Sequence, residues 1–373
     1  MQRCEVLIVG GGPAGSTCAR RLRRAGFDVA ILDKARFPRD KVCAGWITPQ
    51  VVEEVELDIA DYRRDRVLQP ITSFIAGLGA YPAQRVRYDR EVSYGIRRCE
   101  FDNYLLQRSG ARLMLGEAFD SMERLDEKWL VNGHIETDVV IGAGGHFCPV
   151  ARTLGASLGK DEQAIYAQEI EFELDDAQAA VCAVLPEQPE LYFSEDLKGY
   201  GWCFRKGNYL NVGLGREGNH QLAQQVHAFA QWLSSIGRIP SDMPSRFKGH
   251  AYLLYSHAKR PVIDDGVLVI GDAAGLAYTQ SGEGIRPAIE SGLMAANVLR
   301  QTRGDYRRER LADYEQRLRS RFGARDPASA GSSVIPSGLR SAIARSLMRT
   351  QWFTRRFVLD KWFLHADQPA LAP

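Results

Sequence analysis

The start of the chain alternates between the hydrophobic pattern of a buried strand and that of a helix. Residues 4–9, "CEVLIV", form a mainly apolar run, interrupted only by Glu5, which is typical of a parallel strand buried on both faces. A glycine-rich turn follows, then a helix that Pro13 can begin and Gly26 can end, and then a second strand that ends at Asp33. The pattern predicts one βαβ unit over residues 4–33.

Two later apolar runs also end in glycines, "TDVVIGAGG" at 137–145 and "GVLVIGDAAG" at 266–275. Between them the pattern changes to a period of two, as in "GYGWCFRKGNYLNVGLG" at 199–215, where "KGN" predicts a hairpin turn. One stretch at 220–237 places Leu222, Val226, Phe229 and Trp232 at helical spacing, so it predicts a helix covering this second sheet.

These patterns predict an α/β fold in which a Rossmann-like nucleotide-binding domain is interrupted by an antiparallel sheet. We place the nucleotide-binding domain at 1–75, 96–160 and 258–325, and a substrate domain at 76–95 and 161–257. A C-terminal helical segment occupies 326–373. It begins with a linker, "DPASAGSSVIPSG", and continues as basic amphipathic helices at 339–365. We expect these helices to pack on the body of the protein, with contact to a membrane surface as the alternative.

Charge and composition exclude several classes of protein. The 48 basic and 46 acidic side chains nearly cancel, so no overall field favours nucleic acid. No segment has the length of a transmembrane span or the form of a signal peptide, so we expect a cytoplasmic protein, with a membrane-peripheral location as the alternative. The seven cysteines form no C-x-x-C pair and no cluster with histidine, which predicts reduced thiols and no metal site.

Gly10-x-Gly12-x-x-Gly15 supplies what a pyrophosphate needs: a tight turn, an unobstructed backbone and close packing of the following helix. Asp33 stands about 20 residues further on, where a carboxylate can accept hydrogen bonds from a ribose. This motif alone does not distinguish FAD from NAD. The distant segment 267–296 does, because Asp272 follows a buried strand, where it can bind a ribityl chain, and "SGEGI" offers backbone N–H groups to a flavin ring. We therefore predict FAD.

The motifs resemble those of the FAD-dependent oxidoreductases with the p-hydroxybenzoate hydroxylase fold, and within them the geranylgeranyl reductase branch, over residues 1 to about 320. "RRCEFDNYLL" is similar to a segment that in this fold implies an arginine, here Arg98, near the flavin nucleotide. "KVCAGWITP" resembles a segment of the branch that implies Cys43 near the isoalloxazine. "LKGYGWCFR" is similar to a motif that implies Tyr200, Trp202 and Phe204 in the substrate cavity.

The chain also departs from the family pattern. Ala44 replaces a glycine, and Leu197 and Arg205 replace two prolines of the cavity motif, which weakens the isoprenoid assignment. Gly144 stands where the family has an aspartate and Cys148 where it has a serine. Phe147 takes the third glycine position of what would be a second dinucleotide motif, so NAD(P)H binds transiently or another donor, such as a protein, reduces the flavin.

The predicted cofactor-binding residues are Gly10, Gly12, Pro13, Ala14, Gly15, Asp33, Lys34, Arg98, Gly271, Asp272, Gly282, Gly284 and Ile285. The predicted catalytic residues are Cys43, Tyr200 and Trp202, and the predicted substrate-binding residues are Tyr200, Trp202 and Phe204. Simpler structural roles stay open: the aromatic residues as a core face, Cys43 as an inert thiol, and Arg98 as the partner of a neighbouring acid.

These observations predict an FAD-dependent oxidoreductase that transfers hydride from reduced flavin to a carbon–carbon double bond of a small apolar, isoprenoid-like substrate. Cys43 or a tyrosine would supply the proton. One alternative is an FAD-dependent monooxygenase that hydroxylates an aromatic or quinone-like compound. Another is a flavoprotein maturation factor that acts on a protein partner.

Overall fold

The computed structural model describes residues 1–79, 81–157, 162–325 and 337–372. Its strands are β1 Gln2–Val9, β2 Val29–Asp33, β3 Trp46–Ile47, β4 Leu68–Ile71, β5 Ser73–Leu78, β6 Gln84–Arg87, β7 Ser93–Ile96, β8 Arg112–Leu115, β9 Met122–Leu125, β10 Lys128–Val131, β11 Ile135–Gly142, β12 Ala164–Glu173, β13 Glu190–Phe193, β14 Gly199–Lys206, β15 Tyr209–Glu217, β16 Lys248–Leu253, β17 Ile263–Asp264 and β18 Val267–Val269. Its α-helices are α1 Pro13–Arg24, α2 Pro49–Glu54, α3 Ile59–Asp65, α4 Arg98–Gln107, α5 Pro149–Thr153, α6 Asp176–Val181, α7 Leu222–Ser235, α8 Ile285–Gln301, α9 Arg308–Phe322, α10 Ser337–Met348 and α11 Gln351–Phe353. A π-helix spans Thr354–Phe363.

The first sheet has the strand order β17-β18-β11-β1-β2-β8, and β9 and β10 extend it beside β11. The pairs β1–β2, β1–β11, β11–β18 and β2–β8 are parallel, which confirms the βαβ unit and the two later glycine-ended strands. Side chains along the inner strands are fully buried because helices cover both faces. All the strand ends that carry glycine motifs therefore lie at one edge of this sheet.

Helices α1 and α8 touch through their backbones. A Cβ on Gly292 would lie 2.6 Å from the carbonyl oxygen of Ala14 and 3.3 Å from the amide nitrogen of Cys18. The turn at Gly271 fits between the first turns of the same helices, since its Cβ would lie 3.0 Å from the Cβ of Ala14 and 3.4 Å from that of Ala288. The small residues of α8 thus place its N-terminus beside that of α1.

The second sheet has the order β16-β12-β15-β14-β13-β5-β6 and is antiparallel except at the β13–β5 pair. The predicted turn at "KGN" joins β14 to β15. Helix α7 covers one face, where Leu222, Val226 and Leu233 are buried, whereas Trp232 remains 38% exposed at the margin of the contact. The predicted helix is confirmed, but its buried face includes Leu233 in place of Trp232.

The C-terminal segment covers the other face of this sheet. Val358 and Phe363 of the π-helix are buried in one apolar cluster with Trp46, Phe74 and Phe204. Residues 326–336, most of the predicted linker, lie outside the described residues. Helix α10 already includes the last two linker residues, 337 and 338. The described part of the segment therefore packs on the body of the protein.

Residues 364–372 continue from the π-helix across the nucleotide-binding domain. Arg286, fully buried on α8, donates hydrogen bonds to the carbonyl oxygens of Gln368 and Pro369, each at 3.0 Å. The N–H of Leu371 donates to Glu54 at 3.1 Å. Burial and the neighbouring Glu290 raise the pKa of Glu54 to about 9, so its carboxyl group stays protonated at neutral pH. The end of the segment is thus held against α2 and α8 by hydrogen bonds.

We expect Gly292→Ala to lower the melting temperature, although alanine is the better helix former by about 1 kcal/mol. Its Cβ would push α1 and α8 apart, and overpacking costs about 1–3 kcal/mol. Gly249→Ala in β16 is the control because its Cβ would meet only ordinary contacts at 3.9 Å. A higher melting temperature for Gly292→Ala would contradict the backbone contact.

Candidate functional site

The turn between β1 and α1 has no space for side chains. Gly10 has a φ of 119°, and a Cβ there would overlap the carbonyl group of Ala143 at the end of β11. A Cβ on Gly15 would overlap the carbonyl oxygen of Gly10. Gly12 is the N-cap of α1 and has no side chain to accept hydrogen bonds from the first turn. The N–H groups of that turn, beginning after Pro13, therefore favour an anion.

Asp33 connects the end of β2 to this turn. Its Oδ2 accepts a hydrogen bond from the N–H of Gly11 at 2.7 Å, and its Oδ1 accepts one from the N–H of Ala35 at 2.8 Å. Each carboxylate oxygen retains a lone pair that a ribose hydroxyl can use. Lys34 follows with an exposed side chain.

The second motif places Asp272 at the N-terminus of α8. The N–H of Gly271 donates to Ser291 Oγ at 2.9 Å, which fixes the turn after β18. A Cβ on Gly284 would lie 3.1 Å from Asp272 Oδ1, so the carboxylate rests against the start of the helix, just before the buried Ile285. The two glycine motifs, separated by about 240 residues of sequence, therefore form one cleft.

Two titratable side chains that were not among the predicted site residues, His250 and Lys41, lie beside Asp272. His250 Nε2 is 3.6 Å from Asp272 Oδ2, and Lys41 Nζ is 2.7 Å from His250 Nε2. Burial opposes ionisation of Asp272, but the hydrogen bond from His250 and the charges of Lys41 and Arg98 outweigh it and lower the pKa to about 2. Burial lowers the pKa of Lys41 to about 8. Asp272 is therefore ionised at any physiological pH.

Two tyrosines of the second sheet hold the "SGEGI" loop. Tyr200 Oη donates to the carbonyl oxygen of Ser281 at 2.6 Å. Gly282 has a φ of 71°, and a Cβ there would overlap the hydroxyl group of Tyr252. His250 and Tyr252 are two residues apart on β16. Side chains two apart in a strand point to the same face, so this spacing could have predicted from the sequence that they lie together. The loop is thus positioned by side chains of the second sheet.

Arg98 forms a bidentate ion pair with Asp102, with both hydrogen bonds at 2.9 Å. Arg39 Nη1 lies 3.3 Å from the same carboxylate. Burial opposes the charge of Arg98, but contacts with Asp102 and Cys43 outweigh it and raise the pKa of the guanidinium. Asp102 is therefore the neighbouring acid with which a purely structural Arg98 would pair. Arg98 also lies beside Cys43, at the cleft.

Tyr200, Trp202 and Phe204 share one face of β14, as their spacing predicts. The Tyr200 and Trp202 rings are 6.0 Å apart, and Phe363 covers Tyr200 at 5.4 Å. Gly201 faces the other way, where a Cβ would lie 2.6 Å from the ring of Phe229 on α7. Trp202 is buried, whereas Tyr200 keeps part of its surface exposed. We call this face, together with Trp46 and Phe363, the aromatic wall.

The cleft fits FAD. The glycine turn and Asp33 suit an ADP half, because a Cβ would obstruct the turn and the first turn of α1 presents free N–H groups. Asp272 and the start of α8 suit a ribityl chain and a flavin ring, and the aromatic wall reaches the same loop through Tyr200. Cys43, Arg98, Asp272 and Tyr200, which are far apart in sequence, are thus brought together.

Comparisons with known proteins agree with this geometry. Residues 8–59 match the family model of an NAD(P)-binding Rossmann-like domain. The chain is 30% identical over 319 residues to the menaquinone reductase of Mycobacterium tuberculosis, covering 79% of this chain and 76% of that protein. The chain belongs to the geranylgeranyl reductase branch of FAD-dependent oxidoreductases. The digeranylgeranylglycerophospholipid reductase of Methanocaldococcus jannaschii is 27% identical to this branch member over 333 residues, with 85% and 82% of the two chains covered.

Solved structures share the fold of this geranylgeranyl reductase-like protein. A geranylgeranyl bacteriochlorophyll reductase-like protein from Thermoplasma acidophilum superposes with a TM-score of 0.73 at 20% identity, covering 94% of this chain and 88% of that one. The halogenase PltM, solved in complex with FAD, gives a TM-score of 0.69 at 15% identity, with 97% and 85% covered. The protein is an FAD-dependent oxidoreductase.

Asp272→Ala is expected to weaken FAD binding by one to two decades in the dissociation constant. A hydrogen bond from a charged group is worth about 1.5–3 kcal/mol, and each decade corresponds to about 1.4 kcal/mol. The measurement is titration of apoprotein with FAD by flavin fluorescence. Asp313→Ala, which removes an exposed carboxylate paired with Arg317, is the control. Equal dissociation constants for the wild type and Asp272→Ala would place Asp272 outside the FAD site.

Proposed function

We propose that the protein reduces carbon–carbon double bonds of an apolar, isoprenoid substrate, using hydride from reduced flavin. The observation that carries the proposal is the contact between the aromatic wall and the "SGEGI" loop, made by the Tyr200 hydrogen bond to Ser281. An apolar substrate lying on that wall would sit next to the loop that we assign to the flavin. The names of the menaquinone and digeranylgeranylglycerophospholipid reductases point to the same class of substrate.

Each part of the cleft has a distinct role in this proposal. FAD, when bound, supplies the hydride. Gly10, Asp33 and Asp272 would hold the cofactor, and the half-buried cations Lys41 and Arg98 would offset the negative charge of a reduced flavin. The aromatic wall excludes water and orients the substrate by apolar contact.

A proton must accompany the hydride, and Cys43 is the donor that we propose. Tyr200 is less suited because its hydroxyl proton is engaged with Ser281, and burial raises its pKa. The Cys43 thiol is half-buried, accepts a hydrogen bond from the N–H of Gly45 at 3.4 Å and lies beside Arg98. NAD(P)H, bound transiently, or a protein donor would reduce the flavin again.

We expect the FAD-loaded protein, chemically reduced without oxygen, to convert geranylgeranyl diphosphate, or a menaquinone that is reoxidised to the quinone before measurement, to a product heavier by two hydrogens per reduced carbon–carbon double bond. Mass spectrometry of the extracted lipid is the measurement. Addition of one oxygen atom in air, with no anaerobic product, would instead support the monooxygenase. Absence of either product from both compounds would contradict the proposal and favour a maturation factor.

Tyr200→Leu is expected to slow this reduction about tenfold, which corresponds to roughly 1.4 kcal/mol in the barrier, because both the wall and the loop contact are lost. Phe229→Leu is the matched control. It replaces a half-buried aromatic residue on α7, the helix that covers the opposite face of the same sheet. Trp202→Ala would be less informative, because truncating a buried tryptophan costs about 3–5 kcal/mol of stability. Equal rates for the two variants would exclude Tyr200 from the substrate site.

Contact with a membrane surface extends the proposal. Among the residues that the structure describes, no helix combines the length and apolar character needed to cross a bilayer. A surface groove of about 500 Å³ is lined by Arg85, Arg87, Arg355 and the indole of Trp352, which is 67% exposed. Exposed tryptophan among arginines is typical of side chains that lie at an anionic lipid surface. The groove adjoins the C-terminal segment that covers the aromatic wall.

Replacing Arg85 and Arg87 with alanine and Trp352 with serine in one variant should weaken binding to anionic vesicles by at least about 30-fold. Each arginine near such a surface contributes about 1 kcal/mol. Sedimentation with phosphatidylcholine vesicles, with and without phosphatidylglycerol, is the measurement. A double variant, Arg300→Ala and Arg308→Ala, removes the same charge from exposed positions on α8 and α9. Equal binding of both variants would contradict the assigned surface.

A further inference from the structure

The loop that carries Cys43 is bound from beneath by buried polar side chains of the second sheet. Glu169 Oε1 accepts a hydrogen bond from the N–H of Cys43 at 2.7 Å. Asn211 Nδ2 donates to the carbonyl oxygen of Cys43 at 3.1 Å, and Lys206 Nζ donates to that of Ala44 at 3.0 Å. The backbone of the loop is therefore held by side chains from β12, β14 and β15.

The same side chains bind one another. Asn211 Nδ2 lies 2.9 Å from Glu169 Oε2, and the carboxylate of Glu171 forms an ion pair with Lys206. Burial opposes ionisation of Glu171, but the charge of Lys206 outweighs it and lowers the pKa. Lys206 also donates to the carbonyl oxygen of Ile96 at 3.0 Å. Removing one member would leave a buried charge without its partner.

Stability alone does not account for this arrangement. Burying charged groups carries a large desolvation penalty, and apolar residues of similar volume often serve as well or better. What the network supplies is a defined position for one loop. Gly45, with a φ of 71°, adds a second constraint, because a Cβ there would overlap the carbonyl oxygen of Ile96.

Asn211 also connects the loop to the aromatic wall. Trp202 Nε1 donates to Asn211 Oδ1 at 2.7 Å, which fixes the amide so that its Nδ2 points to Cys43 and Glu169. The indole lies flat against β15, where a Cβ on Gly213 would overlap it. A displacement of Trp202 would therefore move the Asn211 amide and change its hydrogen bond to the carbonyl oxygen of Cys43.

We propose that Glu169, Lys206 and Asn211 are positioning residues that hold the Cys43 loop, and that Asn211 transmits the position of Trp202 to it. A catalytic purpose for the loop rests on the proposed function. The hydrogen bonds that hold the loop do not depend on that function, so the test is made without substrate or turnover.

The test measures alkylation of Cys43 by iodoacetamide in the FAD-loaded protein, followed by peptide mass spectrometry. A Cys99→Ser background removes the other half-buried cysteine of the described residues. Asn211→Leu and Glu169→Gln should each raise the Cys43 rate about tenfold, which corresponds to about 1.4 kcal/mol, because each weakens the hydrogen bonds that hold the loop.

Glu190→Gln is the matched control. Glu190 is a fully buried carboxylate in the same sheet, but it pairs with Arg238 and Tyr192, away from the loop. It should lower the melting temperature without changing the Cys43 rate. If Glu190→Gln raises the rate as much as Asn211→Leu does, general loosening is responsible and the proposal is wrong.

Trp202→Phe tests transmission, because it keeps a ring on the wall and deletes the donor to Asn211. It should raise the Cys43 rate in the wild type and add nothing in the Glu169→Gln, Asn211→Leu double variant, as a thermodynamic cycle requires for a shared path. An additive effect, or none in the wild type, would overturn the role of Asn211. Unchanged alkylation would refute this inference even if double-bond reduction is observed. Faster alkylation in the variants without any double-bond reduction would support this inference and contradict the proposed function.

Discussion

The site depends on three places where backbone meets backbone without an intervening Cβ. Gly15 lies on the carbonyl group of Gly10, Gly10 lies on the end of β11, and Gly292 brings α8 onto α1. The first contact closes the turn between β1 and α1, and the other two bring together elements that are remote in sequence. Together they bring the N-termini of two helices to one cleft, where N–H groups and helix dipoles favour an anionic cofactor.

Buried charge then joins the two sheets. Asp272 follows a strand of the first sheet and His250 lies on the second sheet, and the low pKa of Asp272 depends in part on that contact. Lys206 of the second sheet, which forms an ion pair with Glu171, likewise binds the loop that follows the first βαβ unit. Because such pairs lose much of their value when one partner moves, the domains are coupled more tightly than apolar packing alone would require.

Sequence reasoning succeeded where the determining interactions are local or where spacing carries the information. The first βαβ unit, its glycines, Asp33 and the shared face of Tyr200, Trp202 and Phe204 all follow from short patterns. The parallel pairing of β13 with β5 does not, because it joins residues more than 100 positions apart and depends on tertiary packing. His250, Glu169 and Asn211 were missed for the same reason: an isolated polar residue in a strand does not indicate its partner.

The aromatic wall is completed by residues 354–363, which are synthesised after every strand of both sheets. Until that segment emerges and Leu371 reaches Glu54, Trp46 and Tyr200 lack the cover of Phe363. A nascent chain therefore exposes an apolar aromatic surface late in its synthesis. At that stage, chaperone binding or aggregation competes with docking of the C-terminal segment.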